Sequence, residues 1–327
     1  MSDLDDMKLD GLNDQPESWE RKLVRELSVA ALREQRRARR WGIFFKLLLA
    51  VYLALLLVLY LPTDLELMGL NGGSHTALVD LDGVISDASE ASADSVISGL
   101  RKAFEDENTK GIVLRINSPG GSAVQSAYIH DEIKRLRAKH EDIPLYAVVT
   151  DLCASGGYYV AAAADKIYVN KASLVGSIGV LMGSFGFVDA MDKLGVERRL
   201  LTAGEHKALM DPFSPLEDTE VAHIEGLLER IHQQFIAAVR DGRGERLVEN
   251  EKLFSGLIWT GEESLNLGLV DGLGSPGYVA REVIGEEEVV DFTRRPAYLE
   301  RLADRFAVML GRQFTDTLGT RGLLRGP

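Results

Sequence analysis

Two glycine-rich turns hold the residues best suited to chemistry. In Ile116-Asn117-Ser118-Pro119-Gly120-Gly121-Ser122-Ala123 an apolar strand runs into two glycines and then a helix. Glycines there permit positive φ and let backbone N–H groups point outward, and helix-start amides favour developing negative charge. The turn therefore suits an oxyanion or a phosphate, and equally a plain strand-to-helix connection. The second turn, inside Asp151–Asn170, repeats the shape with Ser155 at the first position of a helix and Gly156-Gly157 behind it. Ser155 fits a simple N-cap, or a nucleophile whose alkoxide and tetrahedral oxyanion are stabilised by helix-start amides. The pair tips the balance toward a nucleophile: Gly121 and Ser155 lie 34 residues apart, each at the carboxyl end of a strand. Adjacent parallel strands would bring both turns to one edge. Cys153 sits at the end of a strand and reads as a small core residue.

These turns need a parallel sheet to hold them. Strands are expected at Thr76–Ile85, Gly111–Asn117, Pro144–Thr150 and Lys166–Asn170, with helices over Asp94–Glu105, Ala123–Lys139 and Ser155–Ala164. Such repeating units argue for parallel strands with right-handed crossovers. Arg198–Gly204 reads as a further strand. A long helix runs to about Arg240 with apolar residues at Val221, Ile224, Leu228, Ile231, Phe235 and Val239, its start capped by Ser214 or Asp218. A last strand is expected at Glu288–Phe292 and a helix at Tyr298–Phe314.

The 327 residues carry 37 Lys plus Arg against 50 Asp plus Glu, a net charge of −13, which disfavours nucleic acid as a partner. One cysteine excludes an internal disulfide, and the six histidines never reach a metal-ligand spacing. No cofactor or metal is expected. Acidic residues crowd into Asp3–Glu20; Arg33, Arg36, Arg37, Arg39 and Arg40 follow, then the apolar run Trp41–Leu61 broken only by Lys46. Twenty-one helical residues span roughly 31 Å, enough for a bilayer core. The basic flank predicts a single-pass anchor with residues 1–40 as a cytoplasmic arm, 62–75 as a linker and the main domain on the outer or periplasmic side of the membrane. Residues 76–293 would form that domain and 294–327 a helical tail.

SPGGSAVQSAYIHDEI, CASGGYYVAAAADKIYVN, LVGSIGV and GEHKALMDPFSP resemble, in order and spacing, the membrane-bound signal peptide peptidase A (protease IV) family in its short, single-module form. The likeness spans residues 75–293, about two thirds of the chain. It implies a Clp-protease/crotonase-like α/β fold, a Ser/Lys dyad, and ring-like homo-oligomers in which neighbouring subunits complete each site. By position, Ser155 is the nucleophile, Lys207 the general base, and Ser177 the residue that orients the lysine amine. Gly121, Gly120 and Gly156 supply oxyanion-hole amides. The substrates implied are signal-peptide remnants and other hydrophobic or unfolded peptides.

The demand on Lys207 is severe, because a free lysine has a pKa of about 10.4. Serving as a base requires apolar walls and distance from carboxylates. Ala208, Leu209 and Met210 follow it, while Glu205 and Asp211 must point away. His206 competes for the role; in extended chain only one of the two neighbours faces Ser155. The rival readings are a stomatin-operon-type membrane protease, a crotonase-fold acyl-CoA enzyme, and a scaffold with an inactivated site.

Overall fold

The computed structural model describes residues 19–60, 73–248 and 250–295. Two units divide the chain, Met1–Asn71 and Gly72–Pro327. Among its described residues the first contains one helix, α1 (Trp19–Tyr60), whose apolar side chains from Trp41 to Leu55 are largely exposed. Among the described residues no helix is long and apolar enough to cross a membrane. The expected single span is therefore not met there. The side chains of residues 57–60 and the rest of the expected span lie outside the described residues. So do the linker through residue 72, the first eighteen residues and the tail helix at 298–314.

The second unit alternates strand and helix as the sequence suggests. In chain order it contains β1 (His75–Asp82), α2 (Ala93–Glu105), β2 (Thr109–Ser118), α3 (Ala123–Lys139), β3 (Leu145–Ala154), α4 (Gly156–Ala161), β4 (Lys166–Val169) and β5 (Leu174–Gly176). There follow α5 (Val188–Leu194), α6 (Asp218–Arg243), β6 (Ile258–Thr260), α7 (Gly261–Asn266), β7 (Gly272–Leu273) and β8 (Val289–Asp291). The sheet order is β6-β5-β3-β2-β1-β8, with β4 on β3 and β7 on β4. The sheet is mixed, not wholly parallel: β6 runs antiparallel to β5 while the other pairs are parallel.

Branched apolar runs explain the central strands, which are buried on both faces. Val79, Leu81, Leu114, Ile116, Ala147 and Val149 point into the main core. Helix α2 covers them with Val96, Leu100, Ala103 and Phe104, and α3 with Ile129, Ile133 and Leu136; both sets follow helical spacing. Glu132 of α3 joins the two helices, accepting from Arg101 of α2 and from Arg135.

Two expectations fail after β5. Residues 198–204 form no strand; they belong to an exposed arm that leaves the sheet and bears Leu181, Phe185 and Leu201, which are 88%, 81% and 97% exposed. Without a neighbouring strand their apolar side chains are covered by no strand among the described residues. Nor is α6 capped as expected, since its N-cap is Glu217 with no side-chain cap bond and Ser214 Oγ donates to Asp211 instead. At its other end, fully buried Arg243 makes a two-pronged bond to Asp271, at 2.7 and 3.0 Å, and donates to Gly268 O. Asp271 also accepts the Ile167 N–H at 2.7 Å, so one carboxylate fastens α6 to β4 and the approach to β7.

Candidate active site

The register of the sheet brings the two glycine turns together. Ser118 at the end of β2 stands opposite Cys153 at the end of β3, so the residues that follow each strand emerge side by side. Gly120 shows how closely: a Cβ there would lie 2.6 Å from Gly156 N and 2.8 Å from Ser155 Cβ. Only glycine permits that approach, and its φ of +95° again favours glycine.

Ser155 itself has φ 51° and ψ −122°, a conformation rare for a residue with a side chain. Such strain costs of order 1–3 kcal/mol and persists where the surroundings enforce it. Here the Ser155 N–H donates to Gly176 O at 2.8 Å, and α4 begins at once behind it with Gly156, Gly157 and Tyr158 buried. Its side chain makes no cap bond, so the plain N-cap role is absent. Ser177 is next to the carbonyl that holds Ser155, with φ 52° and its own N–H bonded to Leu257 O at 2.7 Å. The structure thus gathers Ser155, Ser177, Gly120, Gly121 and Gly156 around one corner of the sheet edge.

The amides of the first turn are not equivalent. Gly120 N–H is buried and donates to Ser118 Oγ at 3.1 Å. Gly121 bridges Ile85 in parallel fashion, through Ile85 N–H to Gly120 O and Ser122 N–H to Ile85 O, each 2.8 Å. A bridge of that kind uses the neighbours of Gly121 and turns its own N–H to the opposite side, toward β3. Among the described residues that N–H has no acceptor, and its nitrogen lies 3.3 Å from where a Gly156 Cβ would be. In this arrangement the Gly120 N–H is engaged by Ser118 Oγ, while the Gly121 N–H stays unbonded among the described residues. Sequence reasoning passed over Ser118, whose only signal was a hydroxyl within the glycine turn.

Lys207 takes no part in the hydrogen bonds of that corner among the described residues. It is exposed on the arm, in a turn where its N–H donates to Gly204 O, and no hydrogen bond joins it to Ser155 among the described residues. Two of its neighbours are occupied. His206 Nδ1 lies 3.7 Å from Glu220 of α6, and Asp211 is bound by Arg198 and Ser214. The Arg198 guanidinium holds the Asp211 carboxyl below the usual range. Cys153 is fully buried, and burial pushes its thiol far up, which suits packing and not attack. A groove of about 920 Å³ opens where β3 exchanges β4 for β5, between Asp151, Lys171, Leu273 and Tyr278, and none of the expected site residues line it.

Residues 137–289 match the model of Peptidase family S49, and residues 80–175 match that of Clp protease, in accord with the α/β sheet described above. A protein of Enterococcus faecium, provisionally named signal peptide peptidase SppA, is 31% identical over 68% of this chain and 67% of its own length. Protease 4 of Haemophilus influenzae is 32% identical over 66% of this chain and 35% of its length. The Na(+)/H(+) antiporter NhaA of Brucella melitensis is 40% identical over 69% of this chain, which spans only 30% of that protein. The chain belongs to peptidase family S49, the signal peptide peptidase A (protease IV) family.

Proposed function

We propose that the chain is a serine endopeptidase in which Ser155 attacks the peptide carbonyl, Lys207 takes the Ser155 proton and Ser177 orients the lysine amine. The oxyanion of the tetrahedral intermediate is held by the Gly121 N–H, with Gly156 N–H beside it. The leaving amine takes its proton from Lys207, water enters, and Lys207 again acts as base in deacylation. The observation that carries this reading is the unbonded Gly121 N–H turned toward the Ser155–Gly156 corner. Donors aimed where charge develops are worth about two to three orders of magnitude in kcat.

The exposure of Lys207 in a single chain supports an arrangement in which a neighbouring subunit completes each site. In a ring-like homo-oligomer the apolar arm carrying Leu181, Phe185 and Leu201 would be covered, and Lys207 would reach the Ser155 of a neighbour from a dry surface. Substrates in this reading are cleaved signal peptides and other apolar or unfolded peptides. The exposed apolar stretch of α1 from Trp41 to Leu55 supports attachment to the inner membrane, with the catalytic domain on its outer side. Turnover of an unstructured apolar peptide by the full chain, compared with Ser155→Ala, tests the nucleophile. Loss of turnover is expected; retention would reject it.

A further inference from the structure

Ser118 is fully buried at the end of β2 and has one hydroxyl proton. That proton goes to Gly83 O, 2.6 Å away, in the turn that ends β1. The hydroxyl can then only accept from Gly120 N–H, at 3.1 Å, so the direction of both bonds is fixed. One oxygen therefore ties the turn after β1 to the turn after β2 and consumes the amide of Gly120. The same tie holds Gly120 O toward Ile85 N–H, which completes the bridge that faces Gly121 N–H away from β1. Ser118 also packs beneath the catalytic corner: a Cβ on Gly157 would lie 3.1 Å from Ser118 O and 3.3 Å from its Cβ.

We infer that Ser118 is a positioning residue that decides which amide of the glycine turn serves as the oxyanion donor, an inference that rests on Ser155 being the nucleophile. With the hydroxyl in place, the Gly120–Gly121 peptide is held with the Gly121 N–H toward Ser155. Without it, the Gly120 N–H is buried and unsatisfied, and the turn relieves that by rotating. Rotation misdirects the Gly121 N–H, a loss felt where the oxyanion forms and not where the peptide binds.

The test uses the full chain and compares Ser118→Ala, Ser118→Thr and Ser155→Ala on one unstructured apolar peptide. Ser118→Ala is expected to lower kcat by about tenfold to a hundredfold with KM within about twofold, the signature of an interaction made in the transition state. Its affinity for a peptide aldehyde, which forms a tetrahedral adduct, should fall in parallel, while a product-like peptide carboxylate binds as before. Ser118→Thr keeps the hydroxyl and should recover most of the turnover. If Ser118→Ala does not fold, Ser118→Cys, similar in volume but a weak acceptor, takes its place with the same expected loss. A folded variant whose kcat stays within about threefold, or whose loss falls wholly on KM, overturns the inference. Activity surviving in Ser155→Ala would instead remove the nucleophile, which distinguishes the two failures.

Discussion

The backbone N–H of Ser155 donates to the carbonyl of Gly176 at 2.8 Å, and the next residue in the chain is Ser177. Both serines have positive φ, 51° and 52°, so two strained hydroxyl-bearing residues face one corner through a single hydrogen bond. Ser177→Gly removes the hydroxyl and also the strain, which for left-handed backbone is worth about 1 kcal/mol. A melting temperature at or above that of the parent is expected, with kcat reduced at least tenfold. Unchanged turnover would show that the Ser177 hydroxyl does nothing for the lysine.

Gly156 permits a separate test of crowding. A Cβ there would lie 2.4 Å from Ser126 Oγ, whose hydroxyl donates to Ser122 O. Gly156→Ala should displace the start of α4 and cost most of the activity. Adding Ser126→Ala removes the colliding oxygen and should restore part of it, a coupling readable as non-additivity in the double-mutant cycle. Strict additivity would contradict the contact.

Asp271 predicts an acid limit to stability. Burial alone would raise its carboxyl, but Arg243 and the Ile167 N–H outweigh burial and leave it lowered. A lowered folded-state value stabilises the fold above the ordinary carboxylate range, and that contribution disappears as pH falls through the folded value. Asp271→Asn should destabilise by several kcal/mol at neutral pH, because Arg243 is left buried beside a neutral partner. The penalty should narrow in acid, as followed by urea unfolding at several pH values.

His130 acts in the same direction from another cause. It is buried against Tyr159, with Nε2 unpartnered, and burial lowers it despite the opposing pull of Asp131. The groups around it are Asp131, Lys134 and, on α6, Asp241. Protonation must therefore disrupt the packing of α3 on α4, so stability should decline as pH falls through the ordinary histidine range near 6.5. His130→Gln should flatten that decline, and an unchanged slope would contradict the assignment.

Much of this architecture was legible in the sequence because β1, β2 and β3 are apolar runs that end in glycine turns, a pattern with few other solutions. Helices α2 and α3 followed from spacing alone. The arm was not legible: Arg198–Gly204 looks like a strand because its apolar residues signal burial, and no element among the described residues covers them. The cap of α6 failed because Ser214 found Asp211 first. At the site, the resemblance put Gly121 ahead of Gly120 as oxyanion donor without a physical reason for the order. Which amide is free depended on the single hydroxyl of Ser118, and no spacing rule encodes a bond two residues away. The apolar run of α1 was read correctly as helix, while among the described residues no helix is long and apolar enough to cross a membrane.

The central claim is that Lys207 serves Ser155 across a subunit boundary, and subunit mixing measures it most directly. Chains carrying Ser155→Ala and chains carrying Lys207→Ala, each inactive alone, would be dissociated together, reassembled and assayed on an unstructured apolar peptide. The account predicts that the mixture regains a substantial fraction of parental turnover, since an intact serine from one variant meets an intact lysine from the other. A mixture as inactive as its components, or full activity in Lys207→Ala alone, would contradict it.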